Sequence, residues 1–184
     1  MKIKLLLIAI FTVAMLTNAF AQKYITKTGK IDIFSETPAF TIEAENRTCA
    51  SILNTETGDV VVSLLVRSFD FEEALVEEHF NENYIESHKF PKSTFKGKIT
   101  NNDDIAYDKN GEYKFDITGD LNIHGVTKAV TQQGVITVND GVITANIEFI
   151  VSLKAYEVKI EKAYTHAIKD EIALTCEFSF ETKK

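Results

Sequence analysis

Apolar and polar residues alternate along most of the chain. From Tyr113 onward, Tyr113, Phe115, Ile117, Gly119, Leu121 and Ile123 fall on one face, and Lys114, Asp116, Thr118, Asp120, Asn122 and His124 on the other. A period of two sustained over that length predicts a half-buried β-strand. The same period runs through Ile143, Ala145, Ile147, Phe149, Val151 and Leu153, and again through Ile172, Leu174, Cys176, Phe178 and Phe180. Shorter versions at residues 30–35, 40–53, 59–68, 94–100 and 126–138 bring the expectation to about eight strands.

The connections predict antiparallel neighbours. Thr57-Gly58-Asp59 and Asn139-Asp140-Gly141 are short segments whose Gly and Asx residues accept positive φ, and His124-Gly125 leaves almost no loop between two strands. Parallel pairing would need crossovers of about a dozen residues, usually helical. Only residues 72–80 qualify as a helix. There Phe71, Ala74 or Leu75, and Glu78 or His79 fall at helical spacing, and Glu72 and Glu73 sit near the positive end of the helix dipole. Residues 81–87 are expected as a second short helix or an irregular turn. One helical excursion inside an antiparallel chain suggests a lid or plug over the end of a barrel or sandwich.

Composition narrows the class. The chain has 184 residues, 45% of them hydrophobic, with two prolines and eight glycines, which suits one packed domain and excludes fibrous or low-complexity readings. The first 21 residues stand apart: a basic start at Lys2 and Lys4, an apolar run from Leu5 to Leu16, and Ala19-Phe20-Ala21 as a cleavage site. That run is too short for a transmembrane helix, so residues 1–21 are expected to be a secretory signal and residues 22–184 a single mature domain, periplasmic or secreted. Cleavage would carry the formal charge from −7 to −9. An anion of that size is not expected to bind nucleic acid or acidic lipid surfaces, which require clustered lysine and arginine.

Two segments resemble a known family. One is Ser68-Phe69-Asp70-Phe71, followed by Glu78-His79-Phe80-Asn81-Glu82-Asn83-Tyr84-Ile85-Glu86-Ser87 and Lys89-Phe90-Pro91-Lys92-Ser93-Thr94-Phe95-Lys96-Gly97; the other is Gly119-Asp120-Leu121-Asn122-Ile123-His124-Gly125-Val126-Thr127-Lys128. In order and spacing they resemble the signatures of the YceI-like, polyisoprenoid-binding secreted proteins. The resemblance implies an all-β fold, an eight-stranded antiparallel lipocalin-like barrel with one short helical insertion, whose apolar interior holds an isoprenoid or other long apolar lipid. It implies no cofactor and no covalent chemistry. Residues 29–35 depart from the opening strand of the better-known members, which leaves the identity of the ligand open.

Inward positions on such a barrel would contact the ligand: Phe95, Tyr113, Phe115, Ile117, Leu121, Ile123, Ile147, Phe149, Leu174 and Phe178. The alternative is a filled barrel without a ligand, acting as an envelope interaction or stress protein. His79 and Phe80 are expected at the barrel mouth, His79 fixing the helix there, with a headgroup contact as its second reading. His79, His88, His124 and His166 show no metal-ligand spacing, and His124 is expected to make a structural hydrogen bond. Cys49 and Cys176 could form one bridge, but unpaired thiols are favoured. The glutamates 72, 73, 77, 78 and 82 read as a solvated helix face. Neither a nucleophile elbow nor a phosphate loop is present. Val61 and Leu65 fall on an outward face, which suggests cover by the helix or a homodimer contact.

Overall fold

Each alternating segment pairs with two others, and the last pairing closes a ring. In the computed structural model, which describes residues 23–180, the strands are β1 (Lys23–Glu36), β2 (Thr41–Asn54), β3 (Asp59–Leu65), β4 (Asp70–Phe71), β5 (Lys92–Ile99), β6 (Gly111–Ile123), β7 (Val126–Asn139), β8 (Val142–Ser152) and β9 (Glu171–Phe180). The order β1-β9-β8-β7-β6-β5-β3-β2 returns to β1 through an antiparallel β1–β2 pairing. The result is a closed eight-stranded antiparallel barrel. The expected signal segment 1–21 and its cleavage site lie outside the described residues.

Turn chemistry sets the tightest hairpins. His124 and Gly125 have φ of 52° and 76°, and Asp140 and Gly141 have 49° and 85°. Two successive positive φ angles make the primed turn that matches the twist of paired strands. The long β1–β2 ribbon instead carries register shifts on either side of Gly29, which faces Cys49. Buried positions accordingly change parity: Tyr24 and Thr26, then Ile31 and Ser35; Ala44 and Asn46, then Cys49, Ser51 and Leu53.

β4 is a two-residue strand that no periodicity could have predicted. It lies outside the ring, with Phe71 and Asp70 paired to Ala44 and Glu45 of β2. Between the β3 and β4 pairings on that edge, the wholly buried Asn46 donates its side-chain amide to the Leu65 carbonyl at 3.0 Å. The chain then forms helix α1 (Ala74–His79), which runs on as a wide π-turn over Phe80–Tyr84. This single short helical insertion bridges one end of the barrel between β3 and β5.

The two barrel ends are built differently. At the end that carries the β2–β3 and β7–β8 turns, Leu53, Ile99, Ile136, Ile143 and Phe180 are each at most 2% exposed, so side chains fill the interior. The other end carries the helical insertion, the His124-Gly125 turn and the β8–β9 connection. On the outside, Val61 and Leu65 are 40% and 51% exposed, so α1 does not cover them. Val61 continues a row across Ile52 and Ile25, its partners in register.

Large inward rings lie flat against the wall where the wall has no side chain. Gly97 and Gly119 face each other across β5 and β6, and the Phe95 ring covers both. Phe178 covers Gly29 in the same way, and Phe115 covers Gly134. A Cβ at Gly119 would run into the Gly97 Cα and the Lys96 carbonyl, which are backbone and cannot swing aside. Gly119→Ala is therefore expected to destabilise the barrel by about 1–3 kcal/mol, the usual cost of overpacking. Chemical denaturation read by circular dichroism checks this; an unchanged midpoint would mean that the β5–β6 pair yields without cost.

Candidate functional site: an apolar cavity under the helical insertion

Above the filled end the interior is open. A cavity of about 550 Å3 extends from the middle of the barrel to the mouth under α1. That size lies within the range of small-molecule sites, about 300–1,000 Å3. Its walls come from inward positions of β1, β3, β5, β6, β7, β8 and β9, and its rim from α1, the π-turn and residues 153–170 between β8 and β9.

Eight of the ten side chains expected on the wall are there: Phe95, Ile117, Leu121, Ile123, Ile147, Phe149, Leu174 and Phe178. Tyr113 and Phe115 are not. Both face inward, but Phe115 is 3% exposed over Gly134 in the filled end, and the Tyr113 hydroxyl donates to the Lys109 carbonyl at 3.1 Å. Alternation identifies the inward face of β6 without showing where along it the packing stops. His79 and Phe80 lie at the mouth as expected. Phe80 packs on Phe71 and Phe69, with ring centroids 4.9 and 5.8 Å away, and His79 meets the edge of Tyr164.

Other lining residues were missed, for identifiable reasons. Val60, Val62 and Leu64 lie opposite Val61 and Leu65, whose outward face was read from the sequence, but apolar residues on both sides of the strand hid the inward set. Gln132 breaks an otherwise apolar inward series of Val130, Ile136 and Val138, and its parity was the available signal. Tyr84 and Tyr164 approach each other at the rim. Burial pushes the Tyr84 hydroxyl up from its ordinary value, with Tyr164 and Glu161 adding to the shift.

Cys176 lines the cavity and Cys49 lies wholly buried nearby; both are free thiols. β1 runs between them, pairing Gly29 with Cys49 and Ile31 with Cys176. Two strand spacings, about 9–10 Å, exceed the reach of a disulfide. Burial pushes each thiol up to about 12, so both stay protonated and serve as small apolar groups.

One polar clasp fastens the rim. The Glu86 carboxylate pairs with the Lys89 ammonium and, at 3.2 Å, with Nε2 of His124. Nδ1 of His124 lies 3.2 Å from the Tyr156 carbonyl, and the Phe90 ring packs against the imidazole with centroids 4.4 Å apart. Three segments distant in sequence meet on one ring: the end of the helical insertion, the β6–β7 turn and the β8–β9 connection. His124 is thus a structural residue, not a ligand contact; it does not line the cavity. Among the described residues no cluster of three side chains could hold a metal ion.

The family profile described as a YceI-like domain matches residues 14–180. The chain belongs to the YceI-like family. Among solved structures it is similar to a polyisoprenoid-binding domain from Saccharophagus degradans implicated in plant cell wall breakdown, at 11% identity and a TM-score of 0.77, covering 89% of this chain and 99% of that one. BcnA of Burkholderia cenocepacia aligns at 18% identity and a TM-score of 0.67, covering 82% and 95% of the two chains. A YceI protein of Campylobacter jejuni aligns at 18% and 0.55, covering 74% and 81%. At these identities the likeness is one of fold. No curated protein matches the chain significantly.

The YceI-like signatures of this chain meet in the clasp: Glu86, Lys89 and Phe90 come from one, His124 and Gly125 from the other. The Lys89 and His124 hydrogen bonds hold the Glu86 carboxyl below its ordinary value of 4.5. Its contribution to stability is complete above the ordinary carboxylate range and is lost as pH falls through the lowered value. Thermal melts from neutral to acidic pH should therefore lose stability more steeply in the wild type than in Glu86→Gln. Parallel curves would remove the clasp from the acid response.

Proposed function

We propose that this YceI-like protein binds and holds a long apolar lipid, of isoprenoid or acyl type, in the barrel cavity after export to the periplasm or the medium. The observation that carries the reading is the cavity itself, which opens at the mouth and is walled almost entirely by apolar side chains. Each methylene moved from water into such a space gains about 0.8 kcal/mol, so a chain threaded along it reaches micromolar affinity without a strong polar contact. The relative from Saccharophagus degradans is a polyisoprenoid-binding domain, which supports the same ligand class here. Export rests on the basic, apolar and A-x-A pattern of residues 1–21.

The protein acts by binding alone. His124 is committed to Glu86 and Tyr156, and the Cys176 thiol in the cavity is held protonated, so neither supplies a nucleophile or base. A barrel filled throughout, working as an envelope interaction or stress protein, would have no space of this size.

Native mass spectrometry of purified protein should show a co-purifying apolar molecule that organic extraction removes. Leu174→Trp puts a large ring into the cavity without adding charge, and should lower the bound fraction at least severalfold while the circular dichroism spectrum stays that of the wild type. A folded variant that carries as much lipid as the wild type would overturn the assignment of the cavity. A wild type that never carries or takes up lipid would overturn the function.

A further inference from the structure

The deep end of the cavity contains one polar side chain without a partner. Gln132 points inward from β7, opposite Ile117 of β6 and one inward step from Gly134, where the Phe115 ring closes off the filled end. Its amide makes no hydrogen bond to any described residue. Beside it the barrel wall parts: the β7–β8 ladder runs from the Asp140-Gly141 turn only as far as Gly134 and Ile147, although both strands continue. The amide is half-buried beside this gap, so it is desolvated only when an apolar chain covers it, and it then needs a polar partner inside the cavity.

The charge of the lining is equally one-sided. No lysine or arginine is among the described residues that line the cavity, and its one carboxylate is Glu73 at the rim. His79, the basic side chain at the mouth, shares its helical insertion with Glu73, Glu77, Glu78 and Glu82. A phosphate or carboxylate drawn inside would be desolvated with no cation to meet it.

We propose that the cavity selects a lipid whose polar group is neutral, a hydroxyl or carbonyl that seats at the deep end against the Gln132 amide, and discriminates against chains headed by phosphate or carboxylate. The inference rests on the lipid-binding reading above and adds ligand class and orientation to it: the neutral polar end enters first, and the hydrocarbon follows toward the mouth.

Three probes with one saturated C20 chain separate the possibilities: phytanol, phytanyl phosphate and phytane. Each is measured by displacement of a bound apolar dye from delipidated wild type and from Gln132→Met, which keeps the volume and removes the amide. The wild type should bind the alcohol about five- to tenfold more tightly than the hydrocarbon, the value of one buried hydrogen bond, and at least tenfold more tightly than the phosphate. In Gln132→Met the preference for the alcohol over phytane should disappear. An alcohol preference that survives the substitution overturns the role of Gln132. A phosphate that binds as tightly as the alcohol overturns the selection. Phytane binding without any preference for the alcohol sinks this inference alone, whereas failure of all three probes on the wild type sinks the lipid-binding reading with it.

Discussion

Everything at this site depends on how the interior of a closed ring of eight strands is divided between its own side chains and free space. A barrel of that size has just enough room to be filled or to hold one slim ligand. Here the filled half is made by Leu53, Ile99, Phe115, Ile136, Ile143 and Phe180. The other half stays open partly because its largest rings lie against the wall. Phe95 occupies the space left by Gly97 and Gly119, and Phe178 that left by Gly29. With a side chain at those glycines the rings could not lie there and would turn into the lumen. The glycines are therefore as much a part of the cavity as the residues that line it.

A cavity open at one end also needs a mouth that holds its shape. Its parts come from three loops, which would drift independently without a common anchor. His124 supplies that anchor, because its two ring nitrogens face opposite sides, here toward the Glu86 carboxylate and the Tyr156 carbonyl. Gly125 lets Phe90 close over the ring, where a Cβ would collide with it. The two sequence signatures thus supply both the fastening of the mouth and part of the cavity wall, the latter through residues such as Phe80, Phe95, Leu121 and Ile123.

Much of the barrel was legible because period two is a direct imprint of a half-buried strand. β6, β8 and β9 could be read in full, and eight of the ten expected wall residues do line the cavity. Legibility failed where geometry departs from that period. The shifts around Gly29 flip the inward parity of β1, which hides its first half, residues 23–29. β4 is too short to show any period, and β3 is apolar on both faces. Tyr113 and Phe115 failed differently: their face was right, but the depth of filling is decided by residues far away in sequence, such as Leu53 and Phe180. Gln132 was passed over because a polar residue on an inward face looks like noise until the cavity beside it is seen.

The open half cannot be treated as neutral space. Apolar side chains that face it give up the packing contacts that a filled core provides on every side. Water is a poor remedy, since each ordered molecule needs about two to four polar partners and the lining below the rim offers few besides Gln132, Ser93 and Thr94. Ser93 has already committed its hydroxyl to the Asn122 carbonyl at 2.6 Å. An apolar occupant removes the deficit by restoring contacts to the exposed faces of Phe149, Leu174, Ile33 and their neighbours. Occupancy and folding are then linked by mass action: whatever fills the barrel stabilises the folded state by an amount that grows with its concentration. The same linkage bears on how a barrel of this kind tolerates so large an apolar hollow. The hollow is costly only while empty, and that cost is the thermodynamic pull that loads it.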